Sequence, residues 1–516
     1  MSHRIGVLVA VVALVFGVVA AAPAVAGGSP PVGRPVVAGI DLERATIPDL
    51  QRAMDAGRLS SVRLTAFYLQ RIERLNPRLH AVLATNPDAL RIAAASDSRR
   101  DRHGARSPME GIPVLLKDNV DTRDRQRTTA GSLAMTGARP ARDAHLVTRL
   151  RAAGAVILGK ANLSEWANFR STTSTSGWSA VGGQTANPYV LDRNPCGSSS
   201  GSAVAVAAHL ATVAIGTETD GSIVCPAGAN GIVGVKPSIG LVSGAGVVPI
   251  SAEQDTAGPM ARNVVDAAIL LAAIADRPTR LQQSNSLRGK RIGVWRDVTG
   301  GRSPETDAAF ADAVRRLRGL GATTVEVSIP YLDIVDANEF PALLTEFKHD
   351  LNAYLAATPG RHPADLAGLI EFNRANAAAE MPYFGQELFE QAQATTGDLT
   401  DPEYRRIRAA ATDAARRGLD ETLGAHDLDA IAAPTNSPAW RTTLGSGDAF
   451  LFGSSSPAAV SGYANLSVPM AYAGPLPLGI SFMGARFSER ELLAIAYAFE
   501  RATTARQLPR FLPTID

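Results

Sequence analysis

Gly197-Ser198-Ser199-Ser200-Gly201-Ser202-Ala203-Val204-Ala205-Val206-Ala207-Ala208-His209-Leu210-Ala211-Thr212-Val213-Ala214-Ile215-Gly216-Thr217-Glu218-Thr219-Asp220-Gly221-Ser222 is a turn, a helix, a strand and a second turn in one run. Residues 202–210 read as a tightly packed, alanine-rich helix and 212–216 as a strand. The same alternation continues on both sides: an apolar run at 114–116, a helix over 146–153, a strand at 155–158 and a helix over 263–275. Short apolar runs alternating with helices argue for an α/β architecture around a largely buried sheet. The serines fall at element ends, so the two turns can meet at one place.

Upstream, Gly111-Ile112-Pro113-Val114-Leu115-Leu116-Lys117-Asp118-Asn119 sets an ammonium directly behind an apolar run. Such a lysine is partly desolvated, and desolvation favours the neutral amine, which can accept a proton. The 51 Lys and Arg residues include only five lysines, Lys117, Lys160, Lys236, Lys290 and Lys348, so a lysine in this chain is informative. Lys117, Ser198 and Ser222 together can form a nucleophile-activating relay without histidine.

At the start of the chain a helical pattern opens at Ile47, and Leu64, Phe67, Tyr68, Ile72 and Leu75 mark a second helix that Asn76-Pro77 is expected to close. Further along come a strand at 291–295, a helix over 306–320 and a strand at 324–329. Residues 341–424 are mainly helical in pattern and richer in Glu, Tyr and Phe, which suggests a lid or specificity region. A final α/β portion includes 428–433, 477–484 and a closing helix over 489–503. The expected organisation is a leader at 1–26, a linker at 27–45, and one domain at 46–516 with a helical variable segment at 281–424.

With 516 residues, 46% hydrophobic and 19% charged, the chain is globular and long enough to bury a sizeable core. A formal net charge of +2 gives no basic field for nucleic acid or an anionic membrane. The N-terminus carries Arg4, an apolar run from Ile5 to Ala22, then Ala24-Val25-Ala26, a secretory leader pattern with expected cleavage after Ala26. The apolar run is near the ~18-residue lower bound of a spanning helix, so a retained anchor stays open as the alternative. After cleavage the expectation is a secreted or periplasmic, cell-envelope protein with no membrane contact. The two cysteines, Cys196 and Cys225, flank the serine motifs; an exported chain permits a disulfide between them, and two buried thiols are the other reading.

These segments together resemble the amidase signature family over residues 47–503. The family's lysine motif matches residues 111–119, its glycine/serine motif 197–202, and its nucleophile motif 216–226; Ser198 and Ser222 lie 24 residues apart, the family's spacing. Gln254-Asp255-Thr256-Ala257-Gly258-Pro259-Met260 and Asn465-Leu466-Ser467-Val468-Pro469 match as well. Asp220 with Gly177-Trp178-Ser179, Gly182-Gly183-Gln184 and Cys196-Gly197-Ser198-Ser199-Ser200 makes the chain most similar to the bacterial peptide amidase branch, which removes ammonia from C-terminal peptide amides. The resemblance implies a single domain with a mixed, mostly parallel sheet covered by helices on both sides. It implies Ser222 as the acylated nucleophile, Ser198 as a bridging serine with a cis peptide bond, Lys117 as the base, and the N–H groups of Thr219, Asp220, Gly221 and Ser222 as the oxyanion hole. Neither metal nor cofactor is expected, and the expected partner is a small-molecule or peptide amide. Asp220 stands where many members have glycine, Cys196 replaces the first glycine of the serine motif, and Val224-Cys225 stands where an arginine often follows.

The chemistry suits these residue types. An amide needs a base for the attacking alcohol and a proton for the departing nitrogen, and one Ser–Ser–Lys relay run forwards and backwards supplies both. For that, the lysine pKa must fall from ~10.4 to about 7 or 8, by burial and by repulsion from a neighbouring cation. Asp118 and Asp255 read as structural hydrogen-bond acceptors. Gly197-Ser198-Ser199-Ser200-Gly201 also fits the G-x-S-x-G elbow of α/β-hydrolases, which would make Ser199 the nucleophile of an esterase and draw on His209, His349, His362 or His426. The remaining alternatives are an inactive binding protein on the same fold and the glutaminase subunit of a transfer-RNA amidotransferase, the latter disfavoured by export.

Overall fold

Eleven strands form one sheet in the computed structural model, which describes residues 33–515. The leader expected at 1–26 and the first part of the linker, residues 27–32, lie outside the described residues. The strands are β1 (Val82–Thr85), β2 (Pro113–Lys117), β3 (Val156–Ala161), β4 (Val213–Glu218), β5 (Val233–Lys236), β6 (Thr256–Ala261), β7 (Arg291–Trp295), β8 (Thr323–Val327), β9 (Ala430–Pro434), β10 (Asn465–Ala473) and β11 (Leu476–Met483). Their order across the sheet is β8-β7-β9-β11-β10-β5-β6-β4-β2-β3-β1.

The expected mixed α/β sheet is present. Its parallel pairs gather on two flanks, β8-β7-β9 on one and β4-β2-β3 on the other, while the strands between them pair antiparallel. Parallel pairing is therefore the smaller share of the neighbouring pairs. Antiparallel hairpins such as β10-β11 need only a tight turn, whereas the parallel flanks need helical crossovers. In β2, β3 and β4 every residue is buried, which explains why they read as continuous apolar runs rather than alternating ones.

The alanine-rich segment is the helix Ser200–Ala207, and all eight of its residues are buried. It lies close to the sheet because its side chains are small. A Cβ placed on Gly201 would stand 2.3 Å from Ala81 O and 2.5 Å from Asn162 O, both backbone atoms that cannot swing aside.

The end of the second helix differs from expectation. The second helix, Ser61–Leu79, runs through Pro77 and ends at His80 in the left-handed region. A proline in the last turn forfeits a single backbone bond, and Asn76 closes the end instead: its Oδ1 accepts from Ala81 N and Val82 N, each at 2.8 Å.

The segment at 281–424 contributes β7 and β8 to the sheet and then turns helical: Leu332–Ala357, Leu366–Ala375, Ala377–Glu380 and Glu387–Ala394, followed by Pro402–Ala425. Phe347, Leu351 and Phe389 seat these helices against Met135, Trp166 and Phe169 in one buried cluster. Helices also cover the sheet elsewhere, and residues from Val36 onward form one compact unit. No helix among the described residues is long and apolar enough to cross a membrane.

Gly201→Ala is expected to cost ~1–3 kcal/mol or more, because the added methyl meets backbone on two sides. Urea unfolding checks this; a variant as stable as the parent would show that the helix can lift off the sheet.

Candidate active site

β2 and β4 lie side by side and parallel, with Leu115 opposite Ala214 and Leu116 opposite Ile215. That register brings the C-terminal ends of both strands together, the place where open parallel sheets carry their sites. Lys117 ends β2, Thr217 and Glu218 end β4, and β3 on the other side of β2 leads into Ser164, whose N–H donates to Ser198 O at 3.0 Å.

Lys117 Nζ stands 2.7 Å from Ser198 Oγ, 2.8 Å from Thr217 Oγ1 and 3.2 Å from Thr217 O. Asn119 Nδ2 donates to the same Thr217 hydroxyl at 3.0 Å. Both Lys117 and Ser198 are fully buried. Burial brings the lysine pKa down to about 7, against the pull of the Asp255 and Glu218 carboxyls, which favour the ammonium. The expected repulsion by a neighbouring cation is not the cause: the charged neighbours acting on Lys117 are carboxyls, and desolvation outweighs them.

Ser198 follows a cis peptide bond from Gly197. A side chain at position 197 has no room, since a Cβ there would lie 2.3 Å from Ser164 Oγ and 2.9 Å from Ser176 Oγ. Cys196 and Cys225 are bonded, S–S 2.06 Å, which ties the turn before Ser198 to the helix Val224–Ala229 behind Ser222.

Ser222 sits in the turn before that helix and, unlike Lys117 and Ser198, is partly exposed. Its carbonyl accepts from Ser199 N at 3.2 Å, so the two serine turns meet as the sequence suggested. Glu218 Oε2 accepts from Ile223 N at 2.7 Å and Val224 N at 3.0 Å, fixing the chain just past Ser222. The N–H groups of Thr219, Asp220, Gly221 and Ser222 donate no backbone hydrogen bond among the described residues, and Gly221 adopts φ +78°. Four unspent donors on a tight turn beside a partly exposed hydroxyl can receive a developing negative charge.

The Asp220 carboxyl faces the Ser455 and Ser456 hydroxyls, and burial raises its pKa. Asp255 accepts from Thr219 Oγ1 at 2.5 Å and from Ile250 N and Ser251 N at 2.7 and 3.1 Å, the structural role expected of it. Asp118 accepts from Thr129 N at 3.1 Å and from the Thr129 hydroxyl, and so fastens a turn.

The elbow reading of Ser199 does not hold. Its hydroxyl donates to Thr217 O at 3.0 Å and accepts from Thr217 N at 3.1 Å, it is fully buried, and no strand precedes it. His209 Nε2 lies 2.8 Å from Glu43 Oε2, and no candidate histidine hydrogen-bonds to Ser199. Thr217, the partner of Lys117, and Asn119, which donates to Thr217, lie inside the quoted motifs, yet sequence reasoning does not single them out. Only the parallel register of β2 and β4 reveals them, and a single strand's residues carry no mark of its neighbour.

The Amidase family model matches residues 63–493. The chain belongs to the amidase signature family. It is a hydrolase of that family. A peptide amidase whose structure was solved in complex with the competitive inhibitor chymostatin is 50% identical and superposes with TM-score 0.86, covering 91% of this chain and 99% of that one. The native peptide amidase of Stenotrophomonas maltophilia gives 50% identity, TM-score 0.84 and the same coverages, 91% and 99%. A probable amidase of Arabidopsis thaliana is 43% identical over 498 residues, 91% of this chain and 92% of that one.

Lys117 is expected to titrate near 7 and Lys236, also depressed by burial, near 8, while the carboxyls of Glu491 and Asp429 hold Lys290 above the ordinary lysine range. With five lysines in the chain, a 13Cε NMR titration resolves them; a Lys117 signal unmoved until pH 10 would contradict the site described here.

Proposed function

We propose that this chain is an exported amidase that hydrolyses the C-terminal amide of peptides through an acyl-enzyme on Ser222, with Ser198 as bridge and Lys117 as base. The observation that carries the chemistry is the 2.7 Å contact of a dry Lys117 Nζ with Ser198 Oγ. A neutral amine has two hydrogens and one lone pair. Thr217 O can only accept and Thr217 Oγ1 is the other acceptor, so both hydrogens are engaged there and the lone pair is left for the Ser198 O–H.

Ser222 Oγ attacks the amide carbon, its proton passes through Ser198 to Lys117, and the oxyanion is received by the N–H groups of residues 219–222. The C–N bond breaks as the same proton returns through Ser198 to the nitrogen, which leaves as ammonia. Water then repeats the sequence on the ester, giving the free acid and Ser222. Peptide amides are favoured as substrates because the 50% identical neighbour is a peptide amidase that binds chymostatin as a competitive inhibitor. Export is supported by the leader pattern at 1–26 and by the Cys196–Cys225 bond, which suits an oxidising compartment.

Ser222→Ala and Lys117→Ala are each expected to lower amide turnover by at least ~10³-fold, and Ser198→Ala by less, since a water can bridge part of the relay. Wild-type turnover by Ser222→Ala would end the assignment. Because the base must be neutral, kcat/KM is expected to rise about tenfold per pH unit up to about 7 and then level. Mass spectrometry of products from a mixed library of peptide, aliphatic and aryl amides tests the substrate; preferred cleavage of aryl amides would move the assignment to another branch.

A further inference from the structure

The loop holding the four unspent N–H groups is gripped from behind by the helical segment. Gln254 is nearly fully buried, and its Nε2 donates to Thr219 O at 3.1 Å and to Glu339 Oε1 at 2.6 Å. Arg408 Nη1 donates to Gln254 Oε1 at 3.0 Å. A guanidinium has only hydrogens to offer, so the Gln254 oxygen must face Arg408 and its NH2 must face the two acceptors. The orientation of the amide is thereby fixed.

Arg408 is fixed in turn. Its Nε and Nη2 hold the fully buried Glu346 at 2.6 and 2.5 Å, and Tyr404 OH and Ser251 Oγ donate to the same carboxylate at 2.7 and 2.5 Å. Glu346 belongs to the helix Leu332–Ala357, and Tyr404 and Arg408 belong to the helix Pro402–Ala425. Both carboxylate oxygens of Glu346 and both ends of the Gln254 amide are therefore engaged.

What this does at the site follows from peptide geometry. In a trans peptide the Thr219 C=O and the Asp220 N–H point in opposite directions. Pinning the Thr219 oxygen toward Gln254 aims the Asp220 N–H the other way, and that N–H makes no backbone hydrogen bond within the described protein. Thr219 Oγ1 on Asp255 holds the same residue from its side chain.

We infer that Gln254, oriented by Arg408 and Glu346, is a positioning residue that sets the Asp220 N–H of the oxyanion hole, so that the helical segment controls transition-state binding as well as pocket shape. The inference rests on the reading of residues 219–222 as the oxyanion donors. Gln254 touches no reacting atom; it acts through the peptide plane between Thr219 and Asp220.

Gln254→Met fills the space and removes the hydrogen bonds. It is expected to lower kcat on a peptide amide by ~10- to 10²-fold with KM within about twofold, a share of the ~10²- to 10³-fold loss of a whole oxyanion donor. A peptide aldehyde, which forms a tetrahedral adduct with the nucleophile, should lose affinity by the same factor, whereas binding of uncleaved peptide amide to Ser222→Ala should be the same with and without Gln254→Met. Arg408→Met should reproduce the loss, and Arg408→Lys, which keeps a donor for Gln254 Oε1, should recover much of it; should the Arg408 variants fail to fold, Gln254→Met decides alone. Unchanged kcat and aldehyde affinity, or an equal weakening of uncleaved amide, would overturn the inference while a fluorophosphonate still labels Ser222. Labelling elsewhere than Ser222 would overturn the underlying reading together with it.

Discussion

The structure depends on keeping water away from one amine. Lys117 ends a strand whose residues are all buried, and in place of solvent it has two oxygens of Thr217 and one of Ser198 in contact, with the Asp255 and Glu218 carboxyls acting on its charge. In water such a group is an ammonium until pH ~10.4. Here burial brings it to about 7, so near neutrality an appreciable share is neutral. The rest of the site is built to preserve that dryness: small residues let the helix Ser200–Ala207 close over the sheet, and the Ser198 turn is pressed against Ser164 and Ser176.

Dryness alone would leave polar groups stranded, and around the site the packing answers several of them. Ser199 occupies both backbone groups of Thr217, Glu218 takes the two N–H groups beyond Ser222, and Asp118 takes Thr129. An unpaired buried donor costs ~1–3 kcal/mol, so these side chains are fixed in place by what their loss would expose. The N–H groups of residues 219–222 have no backbone partner among the described residues, and the proposed function uses them for a ligand's oxygen.

Much of this was legible in the chain. Fully buried parallel strands announce themselves as continuous apolar runs, so β2, β3 and β4 were readable, as was the meeting of the two serine turns at their ends. The parts that were not readable are those set by non-local register. Nothing local in residues 213–218 says that Thr217 lies beside Lys117, nor that Gln254 is held by Arg408 across 154 positions. The helix through Pro77 was misjudged for a related reason: a proline in a last turn and a proline that ends a helix carry the same residues, and the difference lies in how Asn76 bonds forward. Repulsion from a cation is one route to a low lysine pKa, but the charged neighbours that the fold brings to Lys117 are acids, which the local sequence does not reveal.

That last point bears on how the site is balanced. Asp255 stabilises the Lys117 ammonium, and it is fastened by the Thr219 hydroxyl and two backbone N–H groups that all favour its charged form. Its own burial works the other way and raises its pKa to about 6. As pH climbs through 6 the carboxyl ionises and strengthens the hold on the lysine proton, just before the pH at which that proton must leave. The carboxyl therefore opposes the neutral amine on which the proposed function draws. What it gives in return is order: one oxygen accepts from the Thr219 hydroxyl and the other from Ile250 N and Ser251 N, which ties the turn at Thr219 to the loop at 250–251. A site that relied on a lower lysine pKa by removing Asp255 would gain neutral amine and lose the tie that holds Thr219, the first residue of the proposed oxyanion hole.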